Sequence, residues 1–191
     1  AQTADHFIPN PFSAEPAARL YRTGDLGHRA PDGTIHYRGR ADHERVDFWL
    51  ERFTTDKRDE FTGFLQRSGR YVPMISAKLE ERGMPQDLIY LAMIESGFNP
   101  TAYSHADASG LWQFIAETGE RYGLEINRAV DERNDPLKAT DAALDYLEDL
   151  HDRFGSWYLA AAAYNTGENR VARIMREETG SERGDENSYF E

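Results

Sequence analysis

The chain has 191 residues, with 22 Lys plus Arg against 34 Asp plus Glu, a net charge of −12, 39% hydrophobic residues and no Cys. That length suits one domain with flanking segments, and the apolar content rules out wholesale disorder. The lack of Cys excludes disulfides, thiolate nucleophiles and Cys-based zinc sites; the acidic balance opposes nucleic-acid binding; and no apolar run approaches the roughly 20 residues of a membrane span.

The chain opens on Ala1-Gln2-Thr3-Ala4-Asp5, without the basic and apolar stretches of a signal peptide. Residues 1–43 hold four of the eight prolines and four of the six histidines. Thr23-Gly24-Asp25 and Pro31-Asp32-Gly33 read as turns, and Leu20-Tyr21-Arg22 and Thr34-Ile35-His36-Tyr37 as short strands. So small a β-rich or irregular piece has no core of its own, and it is expected not to fold independently.

From Glu44 the pattern turns helical. Val46, Trp49, Leu50 and Phe53 make one stripe, Phe61, Phe64 and Leu65 a second, and Val72, Ile75 and Leu79 a third that Gly83 stops. Pro85 and Asp87 suit the first turn of the next helix. Its run from Leu88 to Ile94 is apolar on every side, which predicts burial all round. Residues 101–134 read as loops and short helices. Asp135-Pro136 is a cap and first-turn pair for a helix carrying Ala143, Leu147, Leu150 and Phe154 inward, and Gly155 ends it. Ser156 caps a helix through Tyr164, which Asn165-Thr166-Gly167 breaks. A last helix is expected over 168–178, with Val171 and Ile174 inward, and residues 179–191 read as a flexible acidic tail. The fold class is therefore mainly α with a small N-terminal appendage.

Glu95 stands out. It is in register with Leu88, Leu91 and Ala92, so its carboxyl faces the core side, close to the negative end of the helix dipole. Desolvation and negative potential both favour the protonated acid, which is what a general acid needs. A Glu at a helix end also commonly reaches solvent or pairs with Arg, and that reading stays open. Further on, Gly110 permits a close backbone approach, Trp112 offers a flat apolar face and Gln113 an amide, and Tyr164 and Asn165 bring hydrogen-bonding groups to a helix end. Aromatic faces and amides around one acid suit a carbohydrate, whose rings have apolar faces and hydroxyl edges. Core or rim positions for Trp112 and Tyr164, and a plain turn at Asn165-Thr166-Gly167, are the alternatives.

Three motifs, Glu95-Ser96-Gly97-Phe98-Asn99-Pro100, Gly110-Leu111-Trp112-Gln113-Phe114 and Ala163-Tyr164-Asn165-Thr166-Gly167, together resemble the lytic transglycosylases, bacterial murein-cleaving enzymes with a goose-lysozyme-like fold. Ser68-Gly69-Arg70-Tyr71-Val72-Pro73-Met74-Ile75, Pro85-Gln86-Asp87-Leu88 and Asp131-Glu132-Arg133-Asn134-Asp135-Pro136 are similar to the membrane-bound D branch. The resemblance covers residues 44–178. It implies a peptidoglycan lytic transglycosylase in the periplasm or exported, a monomer with glycan strands as its partner, and neither cofactor nor metal. Glu95 would be the catalytic acid and base, and Ser104, Gly110, Trp112, Gln113, Phe114, Tyr164 and Asn165 would be substrate-binding or Glu-orienting positions. Trp112 stands where many relatives have Met, Ala116 where the D branch often has Pro, and Ser109 where a small apolar residue is usual. No peptidoglycan-binding repeat is visible.

A hydrolytic muramidase would need a second carboxylate, for which Asp107 and Asp131 are the weak candidates. A non-catalytic glycan-binding domain is a further alternative.

Residues 6–43 resemble something else. Phe7-Ile8-Pro9-Asn10-Pro11-Phe12, Arg19 to Leu26, Pro31 to Ile35 and Gly39 to His43 look like the adenylation domains of non-ribosomal peptide synthetases. By that resemblance Asp25 would contact an ATP ribose and Asp42 would lie at a hinge. The Gly-rich phosphate loop and the lysine region are missing, so no adenylation activity is expected.

Overall fold

Seven helices run from Glu44 to Thr179 in a computed structural model that describes residues 7–9, 19–21, 26–29, 35–38 and 44–185. The chain divides into two compact units, residues 1–61 and 62–191.

In the first unit, β1 (Phe7–Pro9) pairs antiparallel with β2 (Arg19–Tyr21), Ile8 opposite Leu20. β3 (Leu26–Arg29) pairs antiparallel with β4 (Ile35–Arg38), His28 opposite His36. The turns expected at 23–25 and 31–33, with Asp25 and Asp42, lie outside the described residues. In helix α1 (Glu44–Thr54), Trp49 and Leu50 of the expected stripe remain about half exposed. Its rings pack on one another instead: Trp49 lies 5.7 Å from Phe53, which stacks on Phe61 at 5.0 Å.

The second and third stripes of the sequence belong to one helix, α2 (Arg58–Glu81), with Pro73 inside it. Proline forgoes one backbone hydrogen bond. The helix continues through it because Ile75 and Leu79 are fully buried in the core on the far side. A short 3-10 turn over Gln86–Leu88 leads into α3 (Ile89–Ser96). Here the expectation of burial all round is corrected. Ile89 and Ala92 are buried, whereas Tyr90 is 40% and Ile94 67% exposed. An unbroken apolar run carries no direction, and a two-turn helix offers only one face to a core.

Helix α4 (Ala116–Arg121) interrupts the loops, and α5 (Pro136–Phe154) forms the spine of the second unit. The Asp135 carboxylate accepts from the amides of Leu137 and Lys138 at 2.9 and 3.1 Å, the expected cap. Ala139, Ala143, Leu144, Leu147, Leu150 and Phe154 are buried along one face. Burying a Leu or Phe side chain stabilises by about 2 kcal/mol, so this face dominates the unit's stability. On its outer flank Lys78 reaches Asp141 at 2.5 Å, and Arg82 reaches Asp145 at 2.5 Å and Glu148 at 3.2 Å, tying α2 to α5. Such part-exposed pairs add under about 1 kcal/mol each.

Ser156 caps α6 (Trp157–Thr166), whose buried Ala160 and Ala163 allow close packing. Gly167 separates it from α7 (Glu168–Thr179). The inward face of α7 is Val171, Ala172 and Met175; the expectation for Ile174 is corrected, since it is 42% exposed. At 100° per residue that face centres between Val171 and Ala172, which turns Ile174 to the flank. As far as Asp185, the stretch read as a solvated tail is tied to the end of α5. The Gly184 amide donates to the Phe154 carbonyl at 2.9 Å, Glu182 pairs with Arg153 and Arg176, and Arg183 donates to the Asp152 carbonyl.

Candidate active site

Glu95 is the penultimate residue of α3 and is partly buried. Its Oε1 accepts a hydrogen bond of 3.4 Å from Asn165 Nδ2, near the end of α6. Among the described residues it has no salt bridge. Burial pushes its carboxyl above the usual carboxylate range, and the Asn165 hydrogen bond offsets part of that rise. The charge of Glu95, after burial itself, also helps to hold the Tyr164 phenol well above its usual value, so the two groups are electrostatic neighbours and the phenol is protonated at neutral pH.

The chain turns away immediately after the acid. Gly97 is left-handed at φ 58°, and Phe98 follows at φ 59°. A Cβ on Gly97 would stand 2.3 Å from the Phe64 ring of α2, so both the dihedral and the packing require glycine. Arg67 Nε donates to the Gly97 carbonyl at 2.8 Å. Ser96 Oγ donates to the Leu111 carbonyl at 2.8 Å, which links the acid's helix to the glycine motif.

That motif is a tightly held loop. Gly110 is buried at φ 86°, and a Cβ there would meet the Arg133 carbonyl at 1.8 Å. Gln113, itself left-handed at φ 51°, donates from Nε2 to the carbonyls of Ala102 and Gly110 at 3.1 and 2.9 Å. Ser104 Oγ accepts from the amides of Ala106 and Ala108. Ser109 Oγ donates to Asn134 Oδ1 at 3.0 Å. Arg133, 7% exposed, clamps the loop from behind: it donates to the carbonyls of Asp107 and Phe114 at 2.8 and 3.0 Å and pairs with Asp131 at 2.7 Å.

The structure brings Glu95, Tyr164, Asn165 and the backbone of the glycine motif together. Tyr164 donates its hydroxyl to the Trp112 carbonyl at 2.8 Å, and the Phe114 ring meets Tyr164 edge-on at 6.2 Å. It does not offer the Trp112 ring to a ligand. That side chain is 0% exposed and its indole N–H donates to Thr140 Oγ1 at 2.9 Å, because the loop folds inward onto α5. Phe114 is likewise buried, and the Ser104 hydroxyl and Gln113 amide N–H groups are engaged in holding the loop. Asp131 is taken by Arg133, which holds its carboxyl below the usual range, and Asp107 accepts from the Tyr103 hydroxyl at 2.5 Å.

Sequence reasoning missed Arg133, Thr140 and Tyr146, whose ring lies 5.2 Å from Tyr164. The Asp131-x-Arg133 spacing was a signal for the first; nothing local marked the other two. A cavity of about 460 Å³ lies elsewhere, lined by Arg82, Asp145, Glu148, Asp149, His151 and Trp157 among others. It contains none of the candidate residues. Arg82 already takes Asp145 and Glu148, and Tyr122 donates to Asp149, so Glu95 remains the candidate acid. Among the described residues no group of three or more His, Cys, Asp or Glu is placed to hold a metal ion, and no helix is long and apolar enough to cross a membrane.

A mainly α, lysozyme-like domain with one partly buried acid at a helix end defines the class. The family model of the transglycosylase SLT domain matches residues 73–187, and the chain belongs to that family. It is 39% identical over 125 residues to the membrane-bound lytic murein transglycosylase D of Escherichia coli K12, covering 65% of this chain and 27% of that protein. A putative tributyltin chloride resistance protein of an Alteromonas species is 44% identical over 110 residues, 57% of this chain and 53% of its own. The malpinin synthetase of Mortierella alpina is 54% identical over 43 residues, 22% of this chain and 1% of that protein. The chain thus spans about a quarter of the length of the first relative and about half of the second.

Proposed function

We propose that the chain is a peptidoglycan lytic transglycosylase with Glu95 as its single acid and base. The observation that carries this reading is a carboxyl held partly buried and raised in pKa beside an amide donor, without a salt bridge among the described residues. Protonated Glu95 gives its proton to the glycosidic oxygen between N-acetylmuramic acid and N-acetylglucosamine as the anomeric C–O bond breaks. The resulting carboxylate then takes the proton of the muramyl 6-hydroxyl, whose oxygen bonds to the anomeric carbon. The carboxyl is regenerated, no water is consumed, and the product ends in 1,6-anhydro-N-acetylmuramic acid. Ordinary glycosidases use two carboxylates. A nucleophile already on the substrate replaces the second by proximity.

Asn165 orients the acid, Tyr164 holds the main chain at Trp112, and Ser104, Gly110, Gln113 and the buried Trp112 and Phe114 fix the loop beside them. The catalytic domain occupies residues 44–178, acts as a monomer on glycan strands, and works outside the cytoplasmic membrane, where murein lies. No adenylation activity is expected of the 1–43 segment. A hydrolytic muramidase is disfavoured because Asp131 and Asp107 are both already engaged, by Arg133 and by Tyr103.

Murein digestion with mass spectrometry of the products tests the reading: anhydro ends support it, and reducing ends mean hydrolysis. Glu95→Gln should lower turnover by about 10³-fold or more while glycan binding persists. Unchanged turnover would end the reading.

A further inference from the structure

Tyr103 is 66% exposed, yet its hydroxyl donates to Asp107 at 2.5 Å. An exposed tyrosine ordinarily bonds to water; here Asp107 takes the hydroxyl and favours one orientation of the ring. The anchor is itself fixed at several points. Asp107 is left-handed at φ 58°, its amide donates to the Ser104 carbonyl at 3.1 Å, and its carbonyl accepts from the buried Arg133 at 2.8 Å. Tyr103 also pairs by an isolated bridge with Ser109, across the turn that Ser104 closes. The hydrogen bond to Asp107 raises the phenol's pKa, so the donor stays protonated across the neutral range.

The position of this ring matters. The Ala102 carbonyl next to it accepts from the Gly110 amide at 2.9 Å and from Gln113 Nε2 at 3.1 Å. Leu111, next to Gly110, is bonded by Ser96, the neighbour of Glu95. Two hydrogen-bonded links therefore couple the Tyr103 backbone to that of the acid. Trp112 is buried, so the flat face that the glycine motif lacks is presented by the loop just before it.

We propose that the Tyr103 ring, held by Asp107, is a stacking platform for the apolar face of a pyranose in the glycan strand, at a subsite flanking Glu95. The inference rests on the glycan-cleaving reading above. A ring fixed before the ligand arrives loses little side-chain entropy on stacking, so the contact appears as affinity.

The test uses the full chain carrying Glu95→Gln, titrated calorimetrically with purified strands of alternating N-acetylglucosamine and N-acetylmuramic acid. Adding Tyr103→Ala should weaken binding by about tenfold, whereas Tyr103→Phe, which keeps the ring but not its anchor, should weaken it by about threefold or less. In the protein with Glu95 intact, Tyr103→Ala should raise KM with kcat little changed. Tyr103→Trp, with a larger face, should bind at least as tightly as the parent. Binding by Tyr103→Ala equal to the parent, or a loss in Tyr103→Trp as large as in Tyr103→Ala, would overturn the platform. If instead the Glu95→Gln parent binds no strands and the unaltered chain releases no product, the glycan reading itself fails and the platform falls with it.

Discussion

At Glu95 two environmental effects oppose each other. Burial favours the neutral acid, and the Asn165 amide favours the carboxylate. The balance leaves the acid raised, which extends the proton-donating form toward neutral pH. The same shift weakens the fold at higher pH: below the unfolded pKa the residue costs no stability, and as pH rises through the raised folded pKa the buried carboxylate destabilises the native state. Asn165→Ala removes the influence that lowers the pKa. The basic limb of the pH profile of kcat/KM should therefore move to higher pH, with the peak rate reduced within about tenfold, one hydrogen bond's worth. A limb that moves down, measured by product release across buffers, contradicts the assignment.

At the scale of elements, α5 carries the site. Its Thr140 hydroxyl accepts from the Trp112 indole and donates to the Pro136 carbonyl at 2.6 Å, and the Trp112 carbonyl in turn receives Tyr164. Thr140→Val keeps the volume and leaves a fully buried indole N–H without an acceptor. A loss of about 1–3 kcal/mol in urea unfolding is expected. The caps on α5 and α6 were readable from Asp135 and Ser156, since a cap is a local exchange between a side chain and the next turn. The outward turn of Ile94 and the continuity of α2 through Pro73 were not, and between a core and a ligand-facing Trp112, both open in the sequence, only the packing on α5 chose the core. Each depends on what another segment places opposite, and composition carries no such information.

For the whole molecule, the unit from 62 to 191 builds its candidate site by convergence. α3 contributes the candidate acid, α6 the amide and phenol, and Arg133 clamps the loop that carries the glycine motif. The 1–61 unit contains two short antiparallel ladders and α1. The Gly-rich phosphate loop and the lysine region that would complete a nucleotide pocket with Asp25 are missing from the sequence. Calorimetric titration of the full chain with ATP is expected to give no binding heat, and a saturable isotherm would restore the nucleotide reading. The order of residue types along the chain was enough by itself to determine the helical class and the helix caps, because period and capping act within a few residues; Glu95 became the candidate acid only through the resemblance of its flanking motifs. Which side chains reach solvent was decided only in three dimensions. Trp112 turned inward, Tyr103 stayed out and Arg133 became a clamp because burial is a property of contacts between segments far apart in the chain.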